Sequence, residues 1–257
     1  MMGRTMREPS AAERNLAIYN TFWEQAPDFV RYNPGARHRR RLILRHLSQR
    51  RFSSVLDVGC GNGELLGELG RAHPEIATLA GADLSPEQVA TNERRFPSVQ
   101  FHALNIEKTA LERTFDLVVC SEVIEHLDDQ RAAIRNLASM LTDGGTLLVT
   151  CPTGKLFATE RHFGHVHHPT PAELVEDVQA AGLRVVSLLN WGWPTYLLLK
   201  WATNVNAQWA LRNFAAGDYS SPAKAVSNGL YWMSFLNRSH DARGCQLIGV
   251  FEKPAAR

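Results

Sequence analysis

Two acidic residues and a run of glycines have the types and spacing needed to bind a small nucleotide-like ligand. The stretch DVGCGNG (residues 57–63) follows an apolar run and precedes a helical pattern. Glycines between a strand and a helix let backbone N–H groups approach a ligand closely, and the helix N-terminus then points at that ligand. The G-x-G-x-G spacing, with Asp57 two residues ahead, differs from the G-x-G-x-x-G of dinucleotide-binding folds and argues against an NAD-dependent oxidoreductase.

A second acidic residue, Asp83, ends the next predicted strand in the stretch GADLSPEQV (residues 81–89). A carboxylate at this place can accept hydrogen bonds from both hydroxyls of a ribose that lies across the strand ends. The structural alternative is that Asp83 caps the helix that begins at Pro86, but Ser85 can fill that position. We therefore predict that Asp83 binds a ribose.

Acids and histidines cluster in two later stretches, SEVIEHLDD (residues 121–129) and RHFGHVHHPT (residues 161–170). Glu122, Glu125 and His126 would share one face if their stretch is helical. In the structural interpretation, Glu122 contacts the edge of the nucleotide-like ligand and Glu125 is a solvated residue. The loop histidines are then hydrogen-bonded loop residues. The chemical alternatives are a general base, His126 or His165, and a divalent metal held by the acids, His126 and one loop histidine. The sequence does not determine which residues, if any, bind a metal.

Apolar strand-like runs alternate with helical patterns from residue 52 onward, which predicts a parallel sheet covered by helices on both faces. We expect an α/β, Rossmann-like, seven-stranded and mostly parallel sheet with an antiparallel last strand. Residues 1–12 are predicted to be a disordered lead. The predicted units are an N-terminal helical cap (1–51), a core (52–190 plus 245–254) and an aromatic, mostly helical insertion or lid (191–244).

Composition limits the partners and the compartment of the protein. The 28 basic and 26 acidic side chains are spread widely, so the net charge of +2 gives no reason to expect DNA binding. The basic segment at residues 37–51 is typical of an amphipathic helix, and an anionic partner is the alternative. Four cysteines without CxxC spacing predict buried free thiols. With no apolar leader and no apolar run of spanning length, a cytoplasmic location is expected.

The ordered set of motifs resembles the class I S-adenosylmethionine-dependent methyltransferases. LDVGCGNG is similar to their first motif, GADLSPEQV to their acidic second motif, and FDLVVCSEVIEHL with LTDGGTLLVTCP to their fourth and fifth strands. The resemblance implies that Gly59 and Gly61 line S-adenosyl-L-methionine, that Asp83 binds its ribose, and that Asp57 organises the turn and the amino end of the methionine. Asn105 replaces the aspartate that often contacts adenine, and its amide oxygen can still accept that hydrogen bond.

The function predicted from this resemblance is methyl transfer to a small, partly apolar acceptor, preferably at oxygen, by in-line displacement. Ubiquinone-pathway O-methyltransferases and metal-dependent small-RNA 3′-end methyltransferases carry a similar E-x-x-E-H pattern, which leaves a divalent metal and an RNA acceptor as alternatives. A non-catalytic sensor or partner subunit that binds the cofactor is a third. The aromatic insertion favours a bulky acceptor; it packs on the core or, alternatively, contacts a membrane peripherally. The oligomeric state is left open.

Overall fold

One mixed sheet of eight strands forms the centre of the computed structural model, which describes residues 9–48, 50–214, 217–239 and 242–255. Its order is β3-β2-β1-β4-β5-β8-β6-β7. Neighbours among β1 to β5 pair in parallel, whereas β8 is antiparallel to both β5 and β6, and β7 is antiparallel to β6. The strands are β1 Ser54–Val58, β2 Thr78–Asp83, β3 Gln100–Ala103, β4 Phe115–Ser121, β5 Leu141–Pro152, β6 Arg184–Trp193, β7 Arg238–Ser239 and β8 Gln246–Glu252.

Eleven α-helices and two 3-10 turns surround the sheet within the ranges that the structure describes. The predicted helix boundary at Pro86 is confirmed, because the Ser85 hydroxyl caps that helix by accepting the Gln88 N–H. The helices are α1 Ala11–Gln25, α2 Pro27–Tyr32, α3 Pro34–Leu47, α4 Glu64–Ala72, α5 Pro86–Arg95, α6 Gln130–Ser139, α7 Ala158–His162, α8 Pro171–Ala180, α9 Thr195–Val205, α10 Ala207–Phe214 and α11 Ser221–Met233, with 3-10 turns at Ile124–His126 and Ser234–Leu236.

Side chains that alternate along the central strands fill two separate cores, one on each face of the sheet. In β4, Val118 faces the core shared with α6 and α8, and its neighbour Val119 faces the core shared with α3 and α4. Both valines are fully buried. A strand covered on both faces must be apolar throughout, which is the pattern that predicted the parallel sheet.

The expected fold class is confirmed, and the strand count differs by one. The additional strand, β7, has two residues, comes from the insertion and lies at the sheet edge beside Trp191 and Trp193 of β6. Strand β6 itself ends at Trp193, which lies past the predicted start of the insertion at residue 191. Of the predicted disordered lead, residues 1–8 lie outside the described residues, and helix α1 begins at Ala11.

The four cysteines are free and buried, as predicted. Among the described residues, no helix is long and apolar enough to cross a membrane.

The basic segment at residues 37–51 forms most of α3, whose apolar side packs on the sheet through Leu42, Ile43 and Leu47. Its arginines make contacts within the protein. Arg40 pairs with Glu68 at 2.9 Å, and the Arg41 guanidinium lies 3.9 Å from the centre of the Phe235 ring. The helix thus joins the sheet on one side to the insertion on the other.

Candidate active site

The glycine turn lies at the carboxyl end of β1 and has the backbone conformation that its sequence requires. Gly59 and Gly61 have φ of +73° and +49°, a region that side chains other than glycine adopt at a cost. A Cβ at Gly61 would lie 2.8 Å from the Trp23 ring, so no larger residue fits there unless α1 moves. The N–H groups of Gly59 and Cys60 donate to the carbonyl of Ala82, which ties the turn to β2.

Asp83 lies at the end of β2 and holds the glycine turn in place. Its Oδ2 accepts the Gly61 N–H at 2.8 Å, and its Oδ1 accepts the Ser85 N–H at 3.0 Å. Each carboxylate oxygen can accept a further hydrogen bond, so this structural role is compatible with ligand binding. The side chain that binds the turn is therefore that of Asp83, a role that the resemblance had assigned to Asp57.

Asp57 is buried at the end of β1, on the same wall as Asp83. Burial, together with the charge of the nearby Asp83, raises the pKa of its carboxyl from 3.8 to about 8. Without a cation beside it, Asp57 therefore keeps its proton at neutral pH. A positively charged ligand group at this place would reverse that preference.

Asn105 follows β3 and is fixed by its own loop, since its Oδ1 accepts the Glu107 N–H at 3.1 Å. Apolar side chains of Leu84, Ile106 and Leu127 line the cavity beside it. A flat apolar ring with one polar edge would suit this part of the wall.

Glu122 follows β4 in a left-handed conformation, with φ of +58°, which is uncommon for a residue with a side chain. Its N–H donates to the Thr150 carbonyl, and its Oε2 lies 3.0 Å from Arg39 of α3. Strained backbone of this kind concentrates at functional sites. The helix that would align Glu122 with Glu125 and His126 is only the 3-10 turn Ile124–His126, which begins after Glu122.

Glu125 is fully buried, which contradicts the interpretation that it is solvated. Neither of its carboxylate oxygens has a hydrogen-bond partner among the described residues. Burial, together with the charge of Glu122, raises the pKa of Glu125 well above its usual range. The histidine loop closes over it, because the Val166 N–H donates to the Glu125 carbonyl at 2.9 Å.

Two of the four loop histidines turn inward, and two are exposed. His165 lines the cavity, with its ring centre 4.5 Å from that of His126. The Nδ1 of His165 lies 3.0 Å from the Nε2 of buried His168. His162 and His167 are exposed. Burial, followed by the neighbouring histidines, lowers the pKa of His165, and burial lowers that of His126 to about 4, so both rings are neutral at neutral pH.

An ion pair from two helices supports the histidine loop from behind. Lys200 of α9, almost fully buried, lies 2.5 Å from Glu160 of α7. The other carboxylate oxygen of Glu160 lies 3.7 Å from the Nε2 of His168. His165 is therefore linked through His168 to a partly buried acid.

The N-terminal helices close the cavity, which sequence reasoning missed. Tyr19, Phe22 and Trp23 of α1 all line the cavity. Tyr19 stacks on Trp23, and its hydroxyl donates to the Phe163 carbonyl at 3.1 Å. Their spacing of three and four residues puts them on one helical face, and this was the signal available in the sequence.

One cavity of about 460 Å³ is lined by all the candidate cofactor-binding residues and both candidate bases predicted from the sequence, but not by Glu125. This volume lies within the range of about 300–1,000 Å³ that is typical of small-molecule sites. The residues it brings together are Asp57, Gly59, Gly61, Asp83, Asn105, Glu122, His126 and His165.

A family model described as "Methyltransferase domain" matches residues 22–188, which is well over half of the chain and includes the glycine turn, Asp83 and both cavity histidines. The chain belongs to the methyltransferase family. It resembles a ubiquinone biosynthesis O-methyltransferase of Albidiferax ferrireducens with 31% identity over 106 residues, which is 40% of this chain and 42% of that relative. The chain therefore matches less than half the length of that relative.

Two longer matches cover most of this chain. A ubiquinone biosynthesis O-methyltransferase of Acinetobacter baylyi is 22% identical over 234 residues, which is 82% of the chain and 97% of the relative. The crystal structure of the N-methyltransferase NodS from Bradyrhizobium japonicum WM9 with S-adenosyl-L-homocysteine is similar with a TM-score of 0.57 and 22% identity, and the match covers 95% of this chain and 97% of that one. At that identity the structural match shows the shared fold.

The chain also contains a set of side chains that fits a divalent cation. Glu125, His126 and His165 each offer one ligand atom, and these atoms lie within 4.8 Å of one another. One carboxylate and two imidazoles suit zinc or another first-row metal, and the unpartnered oxygens of Glu125 are consistent with such an ion. Glu122, which the sequence pattern included, pairs with Arg39 instead.

Proposed function

We propose that this methyltransferase binds S-adenosyl-L-methionine in the cavity and methylates an oxygen of a small, partly apolar acceptor. One observation carries the proposal: Asp83, the glycine turn and His165 line a single cavity of about 460 Å³. When bound, the cofactor supplies a methyl group made electrophilic by a sulfonium cation. The residues of this chain then have to bind the cofactor and the acceptor, align them and exclude water. Alignment contributes most of the rate enhancement for such a displacement.

The donor is bound by the ends of β1, β2 and β3. In the proposal Asp83 accepts hydrogen bonds from the ribose hydroxyls, and Asp57 pairs with the methionine ammonium group. Asn105 meets the polar edge of adenine, beside the apolar side chains of Leu84 and Ile106. The acids on this wall suit a ligand that carries two positive charges, and Glu122 adds a third acid at the edge of the site.

His165 is proposed as the base that accepts the proton of the acceptor hydroxyl. Its ring is neutral at neutral pH, and its Nδ1 is held by His168, so Nε2 is the nitrogen left for the acceptor proton. His126 is the second candidate and differs in being more deeply buried, with its carbonyl fixed by the Asn15 side chain at 2.8 Å. A positioned base of this kind contributes about 10²–10⁴-fold to the rate.

The acceptor side of the cavity is aromatic. It is lined by the aromatic side chains of Phe22, Phe29, Phe163 and Tyr196, together with Leu199. Aromatic walls favour a ring-bearing or hydrocarbon acceptor. The names of the relatives, ubiquinone biosynthesis O-methyltransferases, support a phenol or catechol carrying an apolar substituent.

Methyl transfer from S-adenosyl-L-methionine labelled at its methyl group to a panel of alkyl-substituted catechols tests the proposal. The wild-type protein should release S-adenosyl-L-homocysteine together with a methyl ether. His165→Ala should slow turnover by about 10²-fold or more while affinity for S-adenosyl-L-homocysteine stays the same. His167→Ala is the matched control, because His167 is an exposed histidine of the same loop. Cofactor binding with no transfer to any acceptor would favour a non-catalytic partner subunit.

A divalent metal at Glu125, His126 and His165 is a second candidate for how the acceptor oxygen is activated. A bound ion would favour the oxyanion of the acceptor, and the three side chains would hold it. Dialysis against a chelator, followed by metal analysis and readdition of zinc, manganese or magnesium, separates the candidates. Full activity in the metal-free protein would leave His165 as the base. Glu125→Gln should abolish binding of the ion if the metal candidate is correct.

A further inference from the structure

One face of helix α9 lines the cavity, and another face is apolar and exposed. Tyr196, Leu199, Lys200 and Thr203 recur at helical spacing and line the cavity. On the other side, Leu198, Trp201 and Val205 have 58%, 50% and 87% of their surface exposed. Core packing, which was the favoured interpretation of this segment, therefore holds for one face of α9 alone.

A second group of exposed apolar side chains adjoins this face. Trp232, Met233, Phe235 and Leu236 are between 43% and 68% exposed. They lie at the end of α11 and in the 3-10 turn Ser234–Leu236, which contacts α9. The Thr195 hydroxyl donates to the Met233 carbonyl at 3.1 Å, which joins the two groups. We call these seven residues of α9, α11 and the turn the outer patch. Exposed apolar side chains that group together on a surface mark interaction sites.

Basic side chains accompany the outer patch. The Lys155 ammonium lies 4.6 Å from the centre of the Trp201 ring, and both Lys155 and Arg238 are exposed. Of the four basic residues in the sequence of residues 195–239, Lys200 is buried against Glu160 and Lys224 pairs with Asp28, which leaves Arg212 and Arg238 exposed. Tryptophan, phenylalanine and leucine flanked by lysine and arginine form the composition that binds the interface of an anionic bilayer. The segment also lies outside residues 22–188, which the family model matches.

We propose that the outer patch docks on the surface of an anionic lipid bilayer. Tryptophan rings enter the headgroup region, and Lys155 and Arg238 meet the lipid phosphates. The helix that touches the bilayer with one face then forms a wall of the cavity with the other. That an acceptor enters from the bilayer along α9 is a consequence that rests on the proposed function; the docking itself does not.

Cosedimentation with vesicles, without acceptor or cofactor, tests the docking alone. The wild-type protein should bind vesicles of phosphatidylcholine with phosphatidylglycerol more tightly than vesicles of phosphatidylcholine. The double variants Leu198→Ser with Trp201→Ser, and Trp232→Ser with Leu236→Ser, should each weaken binding at least about tenfold. Val186→Ser is the matched control, because Val186 is an exposed apolar residue near the opposite end of β6. Lys155→Gln should reduce the preference for anionic vesicles.

Circular dichroism and S-adenosyl-L-homocysteine binding establish that the variants are folded. Insertion into the bilayer is tested on the wild-type protein by the quenching of its tryptophan fluorescence by brominated lipid. Absence of wild-type binding to both kinds of vesicle, or unchanged binding by both double variants, would overturn the proposal. A wild-type dimer that becomes monomeric in the double variants, with no vesicle binding, would also overturn it, because a second copy of the chain would then cover the patch. Since neither readout depends on methyl transfer, failure of the docking and failure of the proposed function are distinguishable.

Discussion

Replacing Asp57 with asparagine should stabilise the unliganded protein while weakening cofactor binding. The Asp57 carboxyl is buried at the end of β1, and burial, assisted by Asp83, raises its pKa from 3.8 to about 8. Between these two values the folded chain keeps the proton that the unfolded chain has released. Folding stability from this group is therefore fully present below about pH 3.8 and is lost as the pH rises towards 8.

The magnitude follows from the distance between the two pKa values. Each pH unit in this window costs about 1.4 kcal/mol, so ionisation in the unfolded state disfavours folding by about 4 kcal/mol at pH 7. Asparagine has the same shape and no proton to lose. The difference in unfolding free energy between Asp57→Asn and the wild type should therefore be smallest near pH 4 and grow, in favour of the variant, towards pH 8.

Urea denaturation of both proteins at several pH values measures this difference. Glu93→Gln, which removes an exposed carboxyl from α5, is the matched control for loss of one acidic group. In the proposed function Asp57 ionises to pair with the methionine ammonium, so the variant should bind S-adenosyl-L-homocysteine about 10–100-fold more weakly. Calorimetry in buffers of different ionisation enthalpy should show proton release on binding to the wild type at pH 7. A stability difference that does not vary with pH would refute the assignment of the raised pKa.

Three further substitutions test separate parts of the structure. Gly59→Ala puts a side chain at φ of +73° and against Val123, so scanning calorimetry should show a loss of about 1–3 kcal/mol, and unaltered stability would contradict the described turn. Leu137→Ala leaves a cavity in the core where α6 packs on the sheet. The free energy of unfolding in urea should fall by about 2–5 kcal/mol while cofactor affinity is retained. A loss of affinity at unchanged stability would count against this packing. Asp83→Asn should weaken S-adenosyl-L-homocysteine binding by about tenfold or more in titration calorimetry, because a charged acceptor of the ribose hydroxyls is lost, and equal affinity would remove Asp83 from that role.

Much of the sheet could be predicted because each central strand is buried on both faces. That environment demands uninterrupted apolar runs, and the turns between them demand glycine, serine or proline. Helix α5 begins at Pro86, as its pattern predicts, since Ser85 caps it and proline fits the first turn. The positions of Asp57 and Asp83 could also be predicted, because Asp83 ends β2, Asp57 lies one residue before the end of β1, and the carboxyl ends of neighbouring parallel strands lie side by side.

The acid and histidine cluster could be predicted in composition and not in geometry. The pattern E-x-x-E-H suggested a helix, but Glu122 leaves β4 in a left-handed conformation and turns to Arg39. Arg39 is far away in sequence, so nothing local indicated this ion pair. Glu125 is buried by the histidine loop, whose Val166 N–H reaches back to it across 41 positions.

The contacts that hold the helices over the cavity could not be predicted from local sequence patterns either. Asn15 of α1 donates to the carbonyl of His126, 111 residues later in the chain. Lys200 is charged and comes from an apolar helix, yet it is buried against Glu160. Contacts of this kind depend on how the completed sheet and its helices pack, and single-sequence periodicity carries no information about them.

A crystal structure of the protein with S-adenosyl-L-homocysteine would test the central claim most directly. We predict ribose hydroxyls within hydrogen-bond distance of the Asp83 carboxylate, the amino end of the ligand beside Asp57, and its sulfur facing the side of the cavity that His165 lines. A ligand bound elsewhere, or a ribose whose hydroxyls contact residues other than Asp83, would contradict the account.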